Sequence, residues 1–268
     1  MAVEISAQLV RELRERTGAG IMDSKRALQE TNGDIEEALV LLRERNLAGA
    51  AKRADRATTE GLVGYHLADD RSRGTMVAVG CETEPVSKND DFQAFGQKAL
   101  DVVEADGIDA VSNLEQERVE LSGKLGENIA IAGAARFEAV DGGRIGAYVH
   151  PPANKLGVLL HLRGGDDELA RNLAMHVSWS DPRWIAREDV PEDLLAAERE
   201  IYLNSDEVQS KPEQAREKIV EGMLNKRFFG ANVLTDQEWV HDTSKTVGQA
   251  LDDEGAQVLE FQRFSVAG

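Results

Sequence analysis

The strongest constraint on the fold is an internal echo. Gly61 to His66 (GLVGYH), a polar turn, Thr75 to Val79 (TMVAV) and a helical pattern from Phe92 are answered by a second set. That set is Gly143 to His150 (GRIGAYVH), a Pro-containing turn, Leu156 to Leu162 (LGVLLHL) and a helix from Glu168 to Val177. Both read strand, turn, strand, helix. Two β-hairpins each backed by a helix predict an α+β core of two similar halves, with antiparallel sheets each covered on one face. Ile129 to Val140 predicts a further strand, and Gln257 to Val266 another that returns to one of the sheets. Between the halves a helix over Leu114 to Leu125 ends at Leu125-Gly126, and a last helix from about Lys245 to Asp253 stops at Gly255.

Ahead of the core, Ile5 and Val10 flank Ser6 at the spacing of a hydrophobic staple, so a helix begins at Ala7 and buries Leu9, Val10 and Leu13. TGAG, Thr17 to Gly20, ends it. A second helix runs through Met22 to Glu30, and Asp34 with Glu37 forms a capping box for a third that buries Ile35, Ala38, Leu39 and Leu42. Residues 47–60, small, polar and basic, read as a partly helical linker. Toward the other end, Pro191 and Pro212, each followed by acids, open two amphipathic helices joined by a short polar turn. The first passes through Leu194, Leu195, Glu198, Ile201 and Tyr202. The chain thus divides into a three-helix N-terminal module (1–54), a first core subdomain (55–140) and a second (141–268) with an antiparallel helical hairpin inserted at about 189–228.

The stretch Cys81 to Phe92, CETEPVSKNDDF, is a short polar turn between a buried strand and a helix capped by Asn89 or Asp90. A turn held at both ends and facing solvent is a natural binding element. Its partner is narrowed by charge. The 31 Lys and Arg stand against 49 Asp and Glu, a net −18 that lies entirely beyond residue 56. Such a body is a poor match for nucleic acid or an anionic membrane. One cysteine, Cys81, excludes an intrachain disulfide framework and fits a reducing compartment. No run reaches the roughly 18 apolar residues of a membrane span, and MAVEISAQLV lacks a leader pattern, so a cytoplasmic location is expected.

Patterns of bond-making chemistry fail. Gly18-Ala19-Gly20 follows a helix and lacks the third glycine of a dinucleotide fingerprint. The five histidines, His66, His150, His161, His176 and His241, show no HExxH spacing, and one cysteine builds no familiar zinc site with them. Taken alone, Ile21 and Met22 fit a core position as well as a projecting one, and His150, at a strand end before Pro151-Pro152, fits a structural role.

LRERTGAGIMDSKRAL (Leu13 to Leu28) with NGDIEEA (Asn32 to Ala38) closely resembles the N-terminal module of bacterial elongation factor Ts. The likeness continues in order through CETEPVSKNDDF, KLGENI (Lys124 to Ile129), AYVH, AMHVS (Ala174 to Ser178), EDVPED (Glu188 to Asp193), KIVEGMLNKRF (Lys218 to Phe228) and SKTVGQAL (Ser244 to Leu251). The resemblance implies a ubiquitin-associated-like three-helix bundle, a two-subdomain α+β core and an inserted helical hairpin. It implies a guanine-nucleotide exchange factor, not a bond-making enzyme, that needs no cofactor or metal. Its partner would be elongation factor Tu, GDP-bound and nucleotide-free, with no direct nucleic acid or membrane contact and with a dimer of heterodimers compatible with the hairpin.

By position, Arg14, Ile21 and Met22 would meet a helix of that partner, and Leu125, Gly126 and His150 its nucleotide-binding domain. The family wedge, usually Thr-Asp-Phe-Val, disturbs the partner's Mg²⁺ site. Here it reads Thr83, Glu84, Pro85, Val86. Losing part of the roughly 150–250 Å² that a phenylalanine buries predicts a wedge weaker by about 2 kcal/mol, about thirtyfold in coupling. The alternative is a partner or paralogue that binds elongation factor Tu with weak exchange because of Pro85.

Overall fold

The computed structural model describes residues 5–266; the first four residues of the 1–54 module and the last two of the 141–268 unit lie outside the described residues. Three helices open the chain, α1 (Ala7–Thr17), α2 (Ile21–Glu30) and α3 (Ile35–Arg53). Local signals set their limits. Ser6 Oγ accepts the Leu9 N–H at 3.2 Å, and Asp34 Oδ1 accepts the Glu37 N–H at 2.9 Å. Leu13, Ala27, Leu28, Ala38 and Leu42 make the shared core of the three. α3 runs on through the expected linker to Arg53, because LAGAAKR is alanine-rich and has a surface to cover. It lies along the later helix over residues 115–125, where Arg53 Nη2 donates to Ser122 O at 3.2 Å and Arg43 to Gln116 Oε1 at 2.6 Å.

The core is α+β with two antiparallel three-stranded sheets. β1 (Glu60–Leu67), β2 (Arg73–Cys81) and β3 (Ala130–Glu138) form the first, in that order. Between β2 and β3 come a four-residue helical turn, α4 (Glu84–Ser87), then α5 (Asp90–Asp106) and α6 (Glu115–Leu125). The second sheet is β4 (Arg144–Val149), β5 (Leu156–Arg163) and β6 (Gln257–Ser265), with α7 (Asp167–Ser180) after β5. The echo therefore extends beyond the paired strands. In both sheets the middle strand takes its second partner from after the helix that follows it, and in both that pairing slips register, at Ala78/Val79 and at His161/Leu162.

Each sheet was expected to be covered on one face, and here the structure differs. Met76 and Ala78 of β2 pack with Val63, Ile145, Ala147 and Leu159 in a cluster between the sheets, while Val77, Val79 and Cys81 face Phe92, Phe95, Ala99 and Val103 of α5. On the other side Val158, Leu160 and Leu162 face Leu173, Ala174 and Val177 of α7. The layers run helix, sheet, sheet, helix. The unbroken apolar runs of β2 and β5 are the signature of strands buried on both faces. Glycines allow the close approach: a Cβ on Gly157 would lie 2.6 Å from Val63 Cγ1, and one on Gly74 2.5 Å from Ile145 Cγ2.

The remaining helices are α8 (Glu192–Leu203), α9 (Asp206–Gln209), α10 (Glu213–Met223), α11 (Gly230–Asn232) and α12 (Val247–Asp253). Val208, Val220, Met223, Leu224, Phe228, Phe229 and Val233 gather there in a cluster of their own. After α10 the helix widens into a π-turn over Leu224–Phe229, which turns both Phe228 and Phe229 inward. Ile201, expected on the apolar face of its helix, is 62% exposed.

His176 of α7 is fully buried against Trp239. Its Nε2 lies 3.0 Å from Gln237 Oε1, while both protons of the Gln237 amide go to Ser180 O and Ala231 O. The Gln237 oxygen must therefore accept, which leaves His176 neutral with Nδ1 accepting the Val240 N–H at 3.4 Å. Burial pushes its pKa down, against the Gln237 hydrogen bond, and His241 adds to the fall. A histidine with a lowered folded-state pKa binds fewer protons than in the unfolded chain. Its contribution is whole above the ordinary histidine range near 6.5 and is lost as pH falls below it, at up to about 1.4 kcal/mol per pH unit. Melting curves from pH 7.5 to 5 should fall more steeply for the wild type than for His176→Gln; parallel curves would show that His176 does not titrate in this way.

Candidate partner-binding surface

The turn after β2 is built by a set of hydrogen bonds between distant segments. Cys81 is fully buried at the strand end, where its Sγ–H donates to Thr83 O at 3.4 Å. Burial first, and the neighbouring Glu127 carboxylate next, push the thiol up to about 12, so it stays protonated and unreactive. Glu127 accepts three donors from the turn: the Glu82 N–H at 3.0 Å, the Thr83 N–H at 3.0 Å and the Thr83 hydroxyl at 2.5 Å. In return Glu82 Oε1 accepts the Asn128 N–H at 2.6 Å. The Asn128 side chain then reaches Ala54 O at 3.2 Å and Arg56 O at 2.8 Å, at the exit from α3.

What the sequence presents as a plain polar turn is the helical turn α4. Pro85 sits in its first turn, where a missing N–H costs nothing, and Glu84 is an acid at a helix start. Lys88 donates to Glu84 at 2.7 Å and holds that carboxyl below its usual range, although both groups are in open solvent and such pairs contribute little. Val86 anchors the turn against the α5 core, and Asn89 caps α5 by accepting the Asp91 N–H at 2.9 Å. Thr83, Glu84 and Pro85 face outward.

Leu125 and Gly126 end α6 immediately before Glu127. Gly126 adopts φ 76° with its N–H on Ser122 O at 2.9 Å, its Cα side opens on empty space, and Leu125 is half-buried. Only a residue without a Cβ takes that backbone freely. Glu127 thus joins this junction to the α4 turn. His150 is exposed at the end of β4, its Nδ1 3.0 Å from the Tyr148 hydroxyl. The turn that follows is pinned to β1: Val63 N–H donates to Asn154 O at 2.6 Å and Lys155 to Glu60 at 2.5 Å. Together with Glu84, Ser87 and Lys88 this turn borders a groove of about 390 Å³.

At the head, Ile21 and Met22 are 57% and 65% exposed, because Ser24, Ala27 and Leu28 take the buried face of α2. The choice between core and projection left open by the sequence is settled as projection. Arg14 Nε donates to Ala19 O at 3.3 Å and so braces the turn that presents them. That turn rests on the α6 end: a Cβ on Gly18 would lie 3.1 Å from Lys124 Cδ, and Lys124 pairs with Asp91 at 2.6 Å. Thr83 to Val86, Leu125, Gly126 and the His150 turn are therefore linked through neighbouring hydrogen bonds and one groove, with the head turn packed alongside.

Sequence reasoning missed Glu127, Asn128 and Glu82. The KLGENI stretch contains two of them, but a carboxylate and an amide beside a helix end carry no local mark of what they will bind. Among the described residues no group of three His, Cys, Asp or Glu side chains is placed to hold a metal ion, and no helix is long and apolar enough to cross a membrane.

The family model described as Elongation factor TS matches residues 82–268. The chain is 41% identical to the elongation factor Ts of Thioalkalivibrio sulfidiphilus, with 98% of this chain and 92% of that protein aligned. It is 43% identical to that of Teredinibacter turnerae over 98% of this chain and 90% of the relative, and 42% identical to that of Escherichia coli over 98% and 92%.

Proposed function

Because the chain belongs to the elongation factor Ts family, we propose that it binds elongation factor Tu, GDP-bound and nucleotide-free, and promotes GDP release during translation elongation. The observation that carries the reading is the outward-facing α4 turn at the wedge position, fastened to the α6 end. Similarity along nearly the whole chain favours exchange over a partner that binds with weak exchange. Such a protein works in the cytoplasm, without cofactor or direct nucleic-acid contact. It makes and breaks no bond. It binds the nucleotide-free partner more tightly than the loaded one, and linkage requires that it weaken nucleotide by the same factor.

In this reading residues 1–54 are a ubiquitin-associated-like head, residues 55–140 and 141–268 are the two core subdomains, and the helices between about 189 and 228 are an inserted hairpin arm. Ile21, Met22 and Arg14 grip one helix of the partner. Thr83 to Val86, Leu125, Gly126 and His150 meet its nucleotide-binding domain, where Mg²⁺ bridges phosphate oxygens and is an effective point to disturb. The arm, with Ile201 exposed on α8, is where two such complexes would pair as a dimer of heterodimers.

The test loads elongation factor Tu with a fluorescent GDP analogue and follows its release as this chain is added. Acceleration at catalytic concentrations is expected; tight binding without acceleration would overturn the reading. Pro85→Phe restores an aromatic at an exposed position, so folding should be unaffected. Recovering about 2 kcal/mol of apolar contact predicts a maximal release rate raised by up to about thirtyfold. An unchanged rate would show that the aromatic is not what sets the strength of this turn.

A further inference from the structure

We propose that Glu127 is a positioning residue that locks the α4 turn to the end of α6, so that both press on the partner as one rigid element. The inference rests on the exchange reading above and concerns how that surface is held. A four-residue helical turn has almost no stability of its own. This one must resist the force of displacing a nucleotide, so its rigidity has to come from elsewhere.

Three observations place that rigidity in Glu127. Its two oxygens accept three donors at the entry to the turn, the Glu82 N–H, the Thr83 N–H and the Thr83 hydroxyl. The Thr83 hydroxyl faces Glu127 and makes no capping bond to α4, so the turn is held from outside. The bond is also reciprocated, since Glu82 accepts the Asn128 N–H at 2.6 Å and Asn128 fastens the exit of α3 through Ala54 O and Arg56 O. Charge-assisted bonds of this kind are short and directional. The head, the α4 turn and the Leu125-Gly126 junction are thereby joined through two carboxylates, Glu127 and Glu82, and the Asn128 amide. Glu127 directly follows the Gly126 end of α6, so its carboxylate ties that end to the entry of the turn, alongside the Glu82–Asn128 bond and the packing of Val86.

Glu127→Gln keeps the shape but points a donor where an acceptor is required. In the full chain it should leave the melting temperature within a few degrees and reduce hydrogen-exchange protection of the Glu82 and Thr83 amides at least tenfold. With elongation factor Tu and a fluorescent GDP analogue, the maximal release rate should fall at least tenfold, while the half-saturating concentration stays within about threefold because Ile21 and Met22 still grip. Loss of a merely structural residue would move the melting temperature and both kinetic parameters together. Thr83→Val, which removes one donor and keeps the carboxylate, should lower the maximal rate by a smaller factor. A maximal rate for Glu127→Gln within twofold of wild type, or a rise in half-saturating concentration as large as the fall in maximal rate, overturns the inference. If the wild-type chain itself does not accelerate release, the functional reading fails first, and the role of Glu127 in exchange fails with it.

Discussion

Ile21→Ala/Met22→Ala is expected to raise the concentration of chain needed for half-maximal GDP release from elongation factor Tu by about a hundredfold, with the maximal rate little changed. The two side chains are 57% and 65% exposed, adjacent, and presented at the start of a helix braced by Arg14. Complete burial of such a side chain contributes about 1.5–3 kcal/mol, and the exposed portion here is somewhat over half of each. Together the pair would contribute about 2–3 kcal/mol, or about 30–150-fold in affinity. They do little for the chain's own stability, because Ser24, Ala27 and Leu28 fill the buried side of α2. Titration of the exchange rate against chain concentration measures the shift directly. A shift below threefold would remove the head from the interface. The pattern is the reverse of that expected for Glu127→Gln, so the two variants separate grip from leverage.

Leu159→Ala should produce the largest loss of stability, about 3–5 kcal/mol in unfolding free energy. Leu159 is fully buried in the middle strand of the second sheet and points into the layer between the sheets, beside Val63, Met76, Ala78 and Ile145. Truncation there loses the transfer energy and leaves a cavity between two sheets whose spacing is fixed by glycine contacts, so the site cannot collapse around it. Urea unfolding should show a lower midpoint with an unchanged slope. A loss under 1 kcal/mol would mean that the sheets close over the gap and that the inter-sheet layer is softer than its packing indicates. The same layer explains why Gly74 and Gly157 interrupt apolar strands: a methyl group on either would meet the opposite sheet at less than 3 Å.

Much of the architecture was legible because its signals are local. Ser6 and Asp34 cap α1 and α3 as their spacing to the following helix requires, and the Asn89 cap marks the start of α5. The two strand-turn-strand-helix units appear where the repeated pattern puts them. Failures fell where burial, and not pattern, decides. Ile201 sits on an apolar stripe of α8 yet is exposed, while Leu194, Leu195, Tyr202 and Leu203 pack against the neighbouring cluster. The linker from residue 47 is partly helical as expected, and α6 offers α3 the surface that carries it to Arg53.

The candidate surface divides in the same way. Glu84-Pro85 could be read as a turn, and its resemblance to a known wedge could be read by position, but that it forms a helical turn held by Glu127 could not. By itself the sequence determined the type and order of the strands and longer helices, the two-half plan of the core and the family, since each depends on residues within a few turns of one another or on motifs in fixed order. Only the tertiary structure decided that the sheets stack face to face, that Ile21 and Met22 project, and that Glu127 accepts three donors from the entry to the α4 turn. Each of these rests on contacts between segments far apart in the chain, 44 and 45 residues for Glu127 and the α4 turn, and those contacts exist only once the layers have packed.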